Sequence, residues 1–219
     1  MSCVVGSKIY HWDAVEECTD RANDGGTSMR ILQHFLASGV ALIVVCTTSA
    51  YAPSLAEEPT LITVGPRIGF SGKTPLLGRQ QKYDFELFDV AAVFRLPWQS
   101  SLGDSGWKLE TRLITSAGAL IGGGDTGLMA TLVPDLALSG WKGIVSIDVG
   151  VGAGFFPKYK FGAQNFGGPV QIVATTGITF NPFAHAYAGF RLQHFSDARV
   201  YGPSALGVDM YLVEFGYKF

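Results

Sequence analysis

His194, Ser196 and Asp209 lie close together near the end of the chain. These residue types can do one kind of chemistry together. A serine hydroxyl is a weak nucleophile until a neighbouring base takes its proton, and an imidazole serves best when a carboxylate fixes its tautomer. Ester or amide hydrolysis is therefore the chemistry to test. The pattern His-x-Ser with a later Asp is common by chance, and the surrounding Leu-Gln-His-Phe occurs twice, at Leu32–Phe35 and Leu192–Phe195. What decides is whether the backbone brings the three side chains to one face.

The elements that must position them are strands. After residue 57 no long segment has helical periodicity, and no apolar run is long enough for a membrane-spanning helix. Segments with period two recur instead, broken by Gly, Pro, Asn and Ser. The pattern predicts strands over 60–71, 82–96, 107–121, 127–138, 143–156, 169–180, 183–197 and 208–219. In 143–156 one face is Val145, Ile147, Val149 and Val151, and the other is Ser146, Asp148 and Gly150. In 208–219 one face is Tyr211, Val213, Phe215, Tyr217 and Phe219, and the other includes Glu214 and Lys218. Alternation slips near Leu87–Phe88, which predicts a bulge there.

The chain has 219 residues, 47% hydrophobic and only 16% charged, with 28 glycines and a net charge of −2. That balance gives no basic footprint for nucleic acid. The polar faces carry Arg67, Asp89, Arg95, Lys108, Glu110, Arg112, Asp135, Asp148, Arg191 and Glu214, equal in the two signs. A soluble sandwich would solvate these charges. A membrane barrel would pair them inside and turn the apolar faces to lipid. Trp98, Trp107, Trp141, Tyr211, Tyr217 and Phe219 fall at strand ends, as aromatic girdles require. The expected fold is all-β, an eight-stranded antiparallel transmembrane β-barrel with a side-chain-filled interior too narrow for a pore. A secreted lipocalin-like barrel competes, but its lumen should be apolar.

Residues 29–56 have the layout of a cleavable signal peptide: Met29-Arg30, an apolar run centred on Val40–Cys46, and small residues Ser54 and Ala56 before the expected cut. Residues 1–28 read as an upstream extension outside the native protein, and 57–219 as the barrel. Cys3, Cys18 and Cys46 all precede the barrel, so thiol or disulfide chemistry is not expected in it.

An even strand number puts both termini on the periplasmic side and the 197–208 connection outside the cell. In 183–197, Ala184, Ala186, Ala188, Phe190, Leu192, His194 and Ser196 share the apolar face, and His185, Tyr187, Gly189, Arg191 and Gln193 the lumenal one. Asp209 shares its face with Tyr211 and Val213. All three reactive side chains are thus expected on the lipid-facing surface near the outer leaflet, where ionisable groups are costly and tend to be functional. The roles expected are Ser196 as nucleophile, His194 as general base then acid, and Asp209 as the carboxylate that orients it. His185 and an Arg191–Glu214 ion pair are expected in the lumen. Ile121–Gly127, "IGGGDTG", reads as a hairpin connection, and 157–169 as a loop whose Lys158 and Lys160 could touch anionic headgroups.

The stretch "FRLQHFSDARVYGPSALGVDMYLVEFGYKF" resembles the C-terminal hairpin of the lipid A 3-O-deacylase family. His194-Phe195-Ser196-Asp197-Ala198 matches that family's His-x-Ser-Asn/Asp-Ala motif, and Gly207-Val208-Asp209 its Gly-hydrophobic-acid motif. The resemblance implies a Gram-negative outer-membrane barrel that hydrolyses the ester-linked acyl chain at position 3 of lipid A. It implies no metal or other cofactor. The partner implied is lipid A or lipopolysaccharide, with a second copy of the chain as a candidate partner. The segment holding Asp197 and Arg199 would help form the oxyanion or substrate site; Arg199 stands where the family often has Gly, and its guanidinium suits a lipid A phosphate. The alternatives are a non-catalytic barrel with a structural or adhesive role, and another acyl-ester hydrolase or acyltransferase of the same leaflet.

Overall fold

The computed structural model describes residues 58–72, 76, 81–198, 200–202 and 206–219. The expected extension, 1–28, and signal peptide, 29–56, lie outside these residues. The strands are β1 (Thr60–Phe70), β2 (Phe85–Ser101), β3 (Lys108–Gly122), β4 (Asp125–Gly140), β5 (Val145–Phe155), β6 (Lys160–Phe161), β7 (Gln164–Asn165), β8 (Val170–Phe183), β9 (Ala186–Ser196) and β10 (Val208–Lys218). Among the described residues eight of them close a barrel in the order β1-β10-β9-β8-β5-β4-β3-β2, and β6 with β7 forms a separate two-stranded hairpin. Every neighbouring barrel pair is antiparallel. Closure leaves no unpaired strand edge, which a β structure in lipid requires.

Period-two alternation drives this arrangement. The outward positions are exposed and apolar: Ile68, Phe88, Val90, Leu128, Leu132, Val149, Phe190 and Val213 among them. Such a continuous apolar belt is the lipid face of a membrane barrel. β1, β5, β9 and β10, at 11 residues, match the roughly 9–11 that cross a bilayer, and β2, β3, β4 and β8, at 14 to 17, project beyond it. One end holds the start of β1, the end of β10 and the short connections, with the Trp107 and Trp141 ring centroids 6.0 Å apart. The other, the loop end, holds the connections 71–84, 123–124, 156–169 and 197–207. Gly123 and Gly124 turn β3 into β4 with φ of 58° and 82°. That two-residue turn needs left-handed backbone at both positions, which glycine alone adopts freely.

The interior has two zones. In the half toward the termini, buried charges are paired. Arg67 donates to both Asp89 carboxylate oxygens, at 2.8 and 2.5 Å. Arg191 donates to Asp148 at 2.6 and 3.0 Å and to Glu214 at 3.3 Å. A side chain on Gly177 would fall 2.9 Å from the Arg191 guanidinium carbon, so the absent Cβ makes the space. Glu110 pairs with Arg112 and, at 3.3 Å, with Arg95. Arg95, Glu110, Arg112, Asp148, Arg191 and Glu214 line a cavity of about 360 Å³ open toward the end of β10. Asp135 also lines it, with both carboxylate oxygens unpartnered among the described residues.

In the half toward the loops, Phe85, Phe156, Phe161, Phe166 and Phe195 pack with Leu87, Leu120, Met129, Met210 and Leu212 into an apolar plug. The 156–169 connection folds back over the mouth through its β6–β7 hairpin and contributes Phe156, Phe161 and Phe166. Paired charges alone were expected to fill the barrel; the aromatic plug does so at one end. Two smaller expectations also change. Leu87 and Phe88 pair regularly, with Leu120 and Ala119, and the register shifts instead between Arg95 and Gln99, around Pro97, which has no N–H to give the ladder. His185 is not lumenal. It sits exposed in the β8–β9 turn, its ring stacked on Tyr217 at 5.3 Å and its Nδ1 3.2 Å from the Lys218 carbonyl oxygen.

Candidate active site

The site begins with Phe195. Its side chain is buried in the plug, edge-on to Phe156 at 5.0 Å. Successive strand side chains point to opposite faces, so an inward Phe195 forces His194 and Ser196 outward. Arg191 and Gln193, four and two positions before Phe195, are likewise buried. A one-residue slip would cost both the plug contact and the Arg191 ion pairs.

β10 supplies the carboxylate. Asp209 lies directly opposite His194 in the β9–β10 ladder, and on the other side His194 faces Ala174 of β8. Directly opposed side chains come within about 5 Å. His194 Nδ1 hydrogen-bonds to the Asp209 carboxylate, which leaves Nε2 as the nitrogen available to a third group. The pair is sheltered, with the Asp209 side chain 9% exposed and the His194 side chain 19%. Ser196 projects from the same face, two residues further along β9. Among the described residues Ser196 makes no hydrogen bond to His194; such contacts are often open before substrate arrives.

Gly207 closes the site from below β10. A Cβ there would lie 2.5 Å from the Phe195 carbonyl oxygen, 3.3 Å from His194 Cε1 and 3.5 Å from Ser196 Cβ. Its bare Cα therefore sits against both residues. Beside the site runs an apolar groove of about 340 Å³, lined by Leu76, Val149, Ala174, Leu192, His194, Asp209 and Tyr211 among others. It lies on the lipid-facing wall, away from the lumen.

Asp197 is buried and accepts a hydrogen bond from the Tyr201 N–H at 3.1 Å, and its carbonyl accepts one from Val200 N–H at 2.9 Å. Its carboxylate thus shapes the turn after Ser196. Ala198 takes a φ of 48° in that turn. Arg199 lies outside the described residues. Lys158 bonds Asp125 at 2.7 Å, and Lys160 lies 5.9 Å over the Tyr159 ring. No group of three or more His, Cys, Asp or Glu residues is arranged to hold a metal ion among the described residues.

Sequence reasoning missed Gly207 as a packing partner and Gln164, which is fully buried beneath the loops. The only signal was the clustering of Gly with Phe in 161–168, which marks a folded rather than a solvated connection.

A closed barrel with an apolar outer belt and a side-chain-filled interior is a small membrane-spanning β-barrel, and this one carries a His–carboxylate pair on its outward face. The chain belongs to the lipid A 3-O-deacylase (PagL) family, whose model matches residues 86–218, β2 through β10. Its fold is similar to that of a solved structure described as "Crystal structure of the outer membrane enzyme PagL". The TM-score is 0.55 and the identity 17%, over 70% of this chain and 97% of that one. No curated protein matches the chain significantly.

Proposed function

We propose that this protein is an outer-membrane lipid A 3-O-deacylase working through Ser196, His194 and Asp209. The observation that carries the reading is the His194–Asp209 pair on the lipid-facing wall, on the same face as Ser196. A soluble substrate could not reach it once the barrel is in a bilayer; a membrane lipid could. In this reading the loop end faces outward and the substrate is lipopolysaccharide of the outer leaflet.

His194 Nε2 takes the Ser196 proton as Oγ attacks the ester carbonyl carbon. Asp209 holds the Nδ1–H and stabilises the imidazolium. The tetrahedral intermediate collapses, His194 returns the proton to the sugar 3-oxygen, and the acyl chain stays on Ser196. Water, deprotonated by His194, then attacks the acyl-enzyme and frees the 3-hydroxy fatty acid. The groove beside His194 suits the acyl chain during both steps. Backbone N–H groups of the turn after Ser196, over Asp197 and Arg199, are the candidate oxyanion donors. Such donors must point at the developing charge.

The test uses protein refolded in detergent with purified lipid A. Wild type should release one 3-hydroxy fatty acid per lipid A, and Ser196→Ala and His194→Asn should each lose a thousandfold or more of that rate. Undiminished release by either variant would contradict the assignment.

A further inference from the structure

We infer that Gln164 is a positioning residue for His194 and Ser196, acting through the Gly207 peptide. Gln164 is the first residue of β7, in the hairpin that folds over the barrel mouth, and it is 0% exposed. Its amide is used at both ends. Oε1 accepts the Lys82 N–H at 2.8 Å, and Nε2 donates to the Gly207 carbonyl at 3.1 Å. The neighbouring Asn165 carbonyl accepts the Leu206 N–H at 2.9 Å. One buried side chain therefore ties the connections before β2 and before β10 to the hairpin between them.

The consequence lies on the other side of Gly207. Its Cα fits against His194 Cε1, Ser196 Cβ and the Phe195 carbonyl with no room for a methyl group. A peptide held that closely transmits its orientation to what it touches. The hairpin is pinned at its other end as well, by Lys158 to Asp125 at 2.7 Å and by the Gly162 N–H to Asp125 at 2.8 Å. With both ends fixed, the Gln164 amide is a rigid strut between the plug and the reactive face. Gly207 is half-buried, and its carbonyl would have to turn to find another donor, so the loss of Nε2 would move Gly207.

Gln164→Glu is the informative variant. It keeps the volume and the acceptor toward Lys82 but sets a carboxylate oxygen against the Gly207 carbonyl. Gln164→Met, apolar and of similar size, stands in if the first variant does not refold. The kinetic arm rests on the deacylase reading; the spectroscopic arm does not. With histidine ¹⁵N-labelled and the His194 signal assigned through His194→Asn, Gln164→Glu should shift the His194 ring resonances and leave those of His185 in place. On lipid A, kcat should fall tenfold or more with KM within about twofold. His194 resonances that superimpose on those of wild type would overturn the inference, whatever the activity. Activity persisting in Ser196→Ala would overturn the deacylase assignment and leave the Gln164 result standing.

Discussion

At the scale of single residues the site depends on two substitutions of opposite character. Asp209→Asn keeps the shape of the side chain opposite His194 but removes the charge that, in the proposed triad, fixes the imidazole tautomer and stabilises its protonated form. It should lower the deacylation rate by roughly two to four orders of magnitude while the folded barrel is unchanged on a heat-modifiability gel. Gly207→Ala changes no charge. It adds a methyl group 2.5 Å from the Phe195 carbonyl oxygen, so either β10 or β9 must shift. Its rate should fall at least tenfold, and adding imidazole should not restore it, because what is lost is geometry. At this scale the sequence was informative about the placement of His194, Ser196 and Asp209 on one face, since alternation along one strand and pairing across one hairpin are local. It marked Gly207 as a motif position but not its packing against His194, and it was silent about Gln164, whose contacts join segments far apart in the chain.

At the scale of elements the barrel is held by its ladder and by a lumen whose halves do different work. Arg191 of β9 reaches Asp148 of β5 and Glu214 of β10 and so ties three strands together. Arg191→Ala leaves two buried carboxylates without their partner and should destabilise the folded barrel by about 3–5 kcal/mol. Asp135 of β4 is the converse case, a buried carboxylate with no hydrogen-bond partner among the described residues. Asp135→Asn should raise the urea midpoint, since it removes at constant volume a buried carboxylate that faces a second one, Asp148. A lowered midpoint would show that Asp135 is paired. The strands were readable because period-two alternation survives wherever one face meets lipid. The Arg191–Glu214 pair followed from the same alternation. His185 was misplaced because alternation ends where Ala184 and His185 enter the turn. The plug was not readable, because Phe85, Phe156, Phe161, Phe166 and Phe195 come from separate elements and converge only when the 156–169 connection folds inward.

At the scale of the whole molecule, the apolar belt fixes how the barrel sits in a bilayer, and in the proposed orientation the loop end carries the site to the outer leaflet. On intact cells a membrane-impermeant maleimide should label a cysteine placed at Lys160, in the hairpin at the loop end. It should not label one at Lys142, in the turn at the opposite end. The reverse pattern would put Ser196 against the wrong leaflet for lipopolysaccharide. The most direct measurement of the central claim is mass spectrometry of lipid A from Gram-negative cells expressing wild type or Ser196→Ala. Wild-type cells should contain lipid A that lacks the 3-hydroxyacyl chain ester-linked at position 3, and Ser196→Ala cells should keep it. Identical, fully acylated lipid A in both, with the wild-type barrel folded in the outer membrane, would contradict the account.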